Sequence, residues 1–165
     1  MRPAATLLGV AALALGACAP LLLLGGCAPG APKGVDKEKL DEAVSGAIGD
    51  PASCLMLADK GSGKVVYRYN SYGACARELP ACDGPGARKL DELLKATVKD
   101  GQPRTLSCNT QADASRGVGW ASGAVPGNNT LVYAAMMEGD RAFPGLMMAE
   151  RLARAFQKVG LSPSN

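Results

Sequence analysis

Between Arg2 and Lys33 the chain carries no charged residue. A stretch of that length has no solvated face to present to water. It therefore belongs in a membrane or to a segment removed before folding. Met1-Arg2 opens it, an apolar run follows through Leu15 and again over Leu21–Leu24, and the small pair Gly25-Gly26 precedes Cys27. That layout is an export signal. About 20 apolar residues also suffice to cross a bilayer, so a retained N-terminal transmembrane anchor is the competing reading. The rest of the 165-residue chain suffices for one ordinary domain. Beyond Arg2 the charges nearly balance, 17 Lys+Arg against 15 Asp+Glu, which gives no ground for a nucleic-acid partner. The absence of histidine removes Ser-His and Cys-His pairs, His-ligated zinc and histidine pH switches. With aromatic residues at only 4%, stacking platforms for bases are disfavoured as well.

Leu24-Gly25-Gly26-Cys27 resembles the bacterial lipobox. That resemblance implies a lipidated cysteine at the mature N-terminus and anchoring to the lipid bilayer through acylated Cys27. A second match ends at Cys18. Cys27 is favoured because the linker Ala28–Gly34 follows it, whereas processing at Cys18 would leave Leu21–Leu24 attached. The chain then divides into a signal peptide (1–26), a flexible linker (27–34) and a single α+β domain (35–165). The implied location is the periplasm-facing cell envelope. Four cysteines remain, Cys54, Cys75, Cys82 and Cys108, and an even number in an oxidising compartment implies two disulfides. Three pairings are open; the short Cys75–Cys82 loop with a long-range Cys54–Cys108 bridge is favoured. The spacing does not suit a zinc knuckle, and no metal or cofactor is expected.

Asp36 is placed to cap a first helix whose apolar face is Leu40, Val44, Ala47 and Ile48, with Val35 and Leu40 as a staple. Ser53–Asp59 and Val65–Tyr69 read as strands joined by the turn Lys60–Lys64. The Gly-Ser-Gly-Lys within that turn is not a phosphate loop, because a strand rather than a helix follows it. Residues 70–86 form a cysteine-pinned loop. Leu90, Leu93, Leu94 and Val98 mark a second helix, ended by Gly101 and Pro103. Strands are expected at Arg104–Asn109, Gly117–Val125 and Thr130–Met137, with the glycines of the second marking a close neighbour or a bulge. A last helix starts near Pro144 and stops at Gly160, with Leu161 folding back on Phe156. The order predicts an antiparallel five-stranded sheet with the N- and C-terminal helices packed on one face.

Two segments resemble the sheet domain of the penicillin-binding protein and serine β-lactamase superfamily. Leu55–Asn70 is similar to the opening hairpin of class D β-lactamases, and Ser115–Val125 to their strand with a Gly-Trp-x-x-Gly pattern. The resemblance implies that the first strand pairs with the last, with Met56 beside Ala134. It also implies that the neighbourhood of Ser115 and Arg116 borders a substrate cleft. The catalytic equipment is missing. No Ser-x-x-Lys occurs, Pro80-Ala81-Cys82 stands in place of Pro-Ala-Ser, and only Thr110 of Asn109-Thr110-Gln111 matches the Lys-Thr-Gly strand.

The sequence therefore points to a non-catalytic envelope lipoprotein that acts by binding, with a cell-wall or envelope protein as partner. Thr110, Ser115, Arg116 and Trp120 are the remnant of a binding site, although Trp120 reads as core packing before it reads as a ligand platform. The alternative is an acyl hydrolase, or a protein reactive towards β-lactams or cell-wall peptides, with Cys82 as substitute nucleophile. Its thiolate would need a nearby cation such as Arg77, Arg88 or Lys89. A generic disulfide-stabilised module of the periplasm is the third reading. Glu138-Gly139-Asp140 reads as a turn after a strand, and Asp36, Glu38, Asp41 and Glu42 as a solvated helix face.

Overall fold

The computed structural model describes residues 30–162, so the leader, with Cys18 and Cys27, lies outside the described residues. Four helices and seven strands follow one another: α1 (Lys37–Ile48), β1 (Ser53–Asp59), β2 (Val65–Tyr69), α2 (Tyr72–Cys75), β3 (Leu79–Pro80), β4 (Ala87–Arg88), α3 (Leu90–Asp100), β5 (Arg104–Asn109), β6 (Gly117–Ala124), β7 (Leu131–Gly139) and α4 (Gly145–Lys158). The element ends follow local chemistry. Asp36 Oδ1 accepts from the backbone N–H of Lys39 at 2.9 Å and caps α1. Gly101 closes α3 in the left-handed region at φ 70°. After α4, Leu161 N–H donates to the Phe156 carbonyl at 2.9 Å, and Leu161 is buried.

Five strands form one antiparallel sheet in the order β2-β1-β7-β6-β5, and β3 and β4 make a separate two-residue ribbon. The first strand pairs with the last long strand in the expected register, Met56 opposite Ala134. Because side chains alternate across a strand, β1 and β7 feed both faces and are buried along nearly their whole length. On one face, Leu55, Leu57, Tyr133 and Ala135 meet Leu40 and Val44 of α1 and Met148, Leu152 and Phe156 of α4. The terminal helices thus share a face, as expected. On the other face, Cys54, Met56, Trp120, Ala134 and Met136 meet Leu90, Leu93 and Leu94 of α3. The domain is a helix–sheet–helix sandwich, with the second layer built from the inserted segment 70–103.

The glycines of β6 mark close approach. A Cβ at Gly119 would strike the Phe143 carbonyl oxygen, and one at Gly123 would lie 3.5 Å from Pro103. The start of α4 is seated just as tightly, since a Cβ at Gly145 would strike backbone atoms of Trp120 and Leu106.

Both disulfides join different cysteines from those favoured by sequence distance. Cys54 bonds Cys75 and Cys82 bonds Cys108, with Cα separations of 5.3 and 5.4 Å. Strand order explains the correction. Cys54 on β1 and Cys108 on β5 are separated by three strand spacings, about 14 Å, far beyond the reach of a disulfide. The chain instead returns along β2, and Asn70, at φ 75°, turns it into α2. Its side-chain amide donates to the Ser53 carbonyl at 2.9 Å, tying the turn to the start of β1 and bringing Cys75 over Cys54.

Candidate functional site

At one end of the sheet, on the α3 face, a buried carboxylate gathers charged and polar groups from three other segments. Glu138 lies opposite Val118 in the β6–β7 ladder and is only 4% exposed. It continues the alternation of Val132, Ala134 and Met136, so it follows apolar side chains into the same layer. Arg116 extends the same alternation on β6 beyond Trp120 and Val118. Its Nε donates to Glu138 Oε1 at 3.0 Å and its Nη2 to Oε2 at 2.9 Å. Arg77 Nη2 donates to Oε2 at 2.9 Å, and Thr110 Oγ1 to Oε1 at 3.4 Å. Thr110 is held in place by its N–H donating to the Arg116 carbonyl at 2.9 Å. Arg77 follows Cys75 by two residues, so the Cys54–Cys75 bridge positions it.

The hydrogen bond from Arg116 holds the Glu138 carboxyl below the usual carboxylate range, helped by Arg77 and opposed by burial. Glu138 therefore stays ionised at neutral pH and is unsuited to act as a general acid. Both guanidiniums remain partly open to solvent, with side-chain exposures of 39% for Arg77 and 43% for Arg116. Asp50 and Asp140 also act on Arg116, so the cluster carries no clear excess of positive charge. Its partly open guanidinium N–H groups can still donate to an acceptor and orient it.

The sequence-predicted residues separate here. Thr110 and Arg116 come together on Glu138. Ser115 is exposed and turned to its own loop, where its Oγ donates to Asp113 Oδ1 at 2.7 Å. Trp120 is wholly buried, and its indole N–H donates to the Pro80 carbonyl at 2.9 Å, pinning the ribbon strand β3 over β6. Cys82 has its sulfur bonded to Cys108, so it presents no thiolate in this oxidised state. Glu138 is not in a turn but within β7; two more residues of apolar alternation would have revealed it. Arg77 carries no local sequence signal, because only the disulfide topology brings it to the site. Of the acidic residues on α1, Asp41 has a structural partner, accepting from the Tyr67 hydroxyl at 2.7 Å.

The domain is thus an α+β sandwich on a five-stranded antiparallel sheet, with a charged cluster at one end. Comparison of the chain with protein-family models, curated proteins and solved structures finds no match.

Proposed function

We propose that this chain is an exported lipoprotein of the bacterial cell envelope. Acylated Cys27 anchors it to the bilayer, and its disulfide-stapled domain acts by binding rather than by catalysis. One observation carries the reading: all four cysteines of the described domain are consumed in two bridges. Paired disulfides persist in an oxidising compartment, in keeping with the export signal, and the same pairing occupies the sulfur of the candidate nucleophile Cys82. The reduced penicillin-binding-like architecture belongs to the same proposal. It is supported by the pairing of β1 with β7 in the register that places Met56 beside Ala134. The Glu138 cluster would then be a polar binding surface, its guanidinium N–H groups donating to an acceptor on a cell-wall or envelope protein partner.

The test is expression in a bacterial host with a clickable palmitate analogue. Label is expected on the wild-type protein, on Cys18→Ala, and not on Cys27→Ala. Fluorescent penicillin added to the purified domain should leave no covalent label. A labelled Cys27→Ala protein would refute the anchor, and a penicillin adduct mapped to one residue would refute the binding-module reading.

A further inference from the structure

A second cationic feature lies apart from the Glu138 carboxylate, between the edge strand β2 and the opening of α3. Here a cavity of about 390 Å³ is floored by Met56 and Val65 and walled by Cys75. Arg68, Lys89 and Lys95 line it, with Asp91 the lone carboxylate among its lining residues. The two lysines already have partners: Lys89 pairs with Glu78 at 3.1 Å and Lys95 with Asp91 at 2.8 Å. Arg68 does not. It stands opposite Met56 in the β1–β2 ladder, on the α3 face, and its Nε is buried with no hydrogen-bond partner. Among the described residues no carboxylate comes within ion-pair distance of it. Its guanidinium lies 5.5 Å from the centre of the Tyr72 ring, and Tyr72 is 72% exposed, the most open large apolar side chain described.

These features make one demand. The Arg68 guanidinium lines this cavity without a carboxylate partner, so a ligand oxygen there would supply the acceptor it lacks. A planar guanidinium matches the geometry of a carboxylate. The apolar floor and exposed aromatic ring suit the body attached to that carboxylate, and the cavity falls in the size range of small-molecule sites. The geometry points to a binding site for a small organic carboxylate with an aromatic or branched aliphatic body, its carboxylate on Arg68 and its body between Met56, Val65 and Tyr72. This site requires neither the lipid anchor nor the penicillin-binding resemblance.

The test is ¹⁹F NMR titration of the purified disulfide-bonded domain with 4-(trifluoromethyl)phenylacetate, with 4-(trifluoromethyl)benzyl alcohol as the uncharged control. Saturable binding of the acid is expected below about 10 mM, at least about tenfold tighter than the alcohol. Arg68→Met should weaken the acid about tenfold and leave the alcohol unchanged. Should Arg68→Met fail to fold, exposed Lys95→Gln should weaken the acid about threefold, and Asp91→Asn should tighten it by a similar factor. Absence of saturable binding by the acid, equal binding of acid and alcohol, or acid affinity unchanged in folded Arg68→Met would overturn the proposal. So would acid affinities unmoved by both Lys95→Gln and Asp91→Asn.

Discussion

The two faces of the sheet are built by different means. The α1/α4 face is closed by long helices and large apolar side chains, with Tyr133 and Phe156 meeting edge to face at 5.4 Å. The α3 face has one long helix, a four-residue helix and a two-residue ribbon, and it holds both disulfides. Burial alone suffices on the first face. On the second, covalent staples fix loops that bury too little to hold themselves. The charged cluster and the Arg68 cavity both lie on the stapled face, where loop residues can be positioned without being packed away.

Four changes would break or sharpen that contrast, each read by urea denaturation of the purified domain. The largest effect is expected on the helix-packed face. Phe156→Ala, at a fully buried position, should cost about 3–5 kcal/mol. A loss below ~1 kcal/mol would mean that the α1/α4 layer does not dominate the core.

Removing a disulfide comes next. The bridges span separations of 21 and 26 residues, and replacing either pair by alanine should cost about 3 kcal/mol. This variant also distinguishes the faces, because Trp120 is the sole tryptophan and lies on the α3 side. Its indole is tethered to Pro80, two residues before Cys82. The Cys82→Ala/Cys108→Ala protein should therefore show red-shifted tryptophan emission while helical circular dichroism persists. An unshifted spectrum would mean that the ribbon is held by packing alone.

Glu138→Gln should cost about 1–2 kcal/mol, moderated because both arginines reach solvent. The pH dependence has a definite sign. The folded-state pKa of Glu138 is depressed, so its contribution is complete above the unfolded carboxyl pKa and disappears as pH falls through the folded value. The wild-type protein should lose stability on acidification through that window more steeply than Glu138→Gln. Parallel acid limbs would place the carboxylate's partners elsewhere. The smallest effect is expected at the exposed Lys37–Asp41 pair on α1, where Lys37→Ala should cost about 0.3 kcal/mol.

Much of the helix-packed face was legible in the sequence, because its signals are local: the Asp36 cap, the Leu40/Val44 stripe, and Gly160 with Leu161 after α4. The strands were legible for the same reason, and β1, β2 and β5 lie within their expected limits. What escaped was non-local. The disulfide pairing depends on strand order, which sequence spacing does not encode: spacing favours the close pair Cys75 and Cys82, yet each bonds a strand residue. Arg77 reaches Glu138 only through that topology. Glu138 lies one residue past the apolar run that marks the last strand in the sequence, whereas the strand itself runs to Gly139. Thr110 and Arg116, in the segments that resemble the β-lactamase strands, meet on Glu138, whereas Ser115, beside Arg116, turns to Asp113 instead.

The most direct measurement is non-reducing peptide mapping by mass spectrometry of the protein isolated from bacterial envelopes. The expected result is Cys54 linked to Cys75, Cys82 linked to Cys108, and an N-terminal peptide beginning at acylated Cys27. Free thiols at Cys54, Cys75, Cys82 and Cys108, or an unprocessed chain lacking acyl groups, would contradict it.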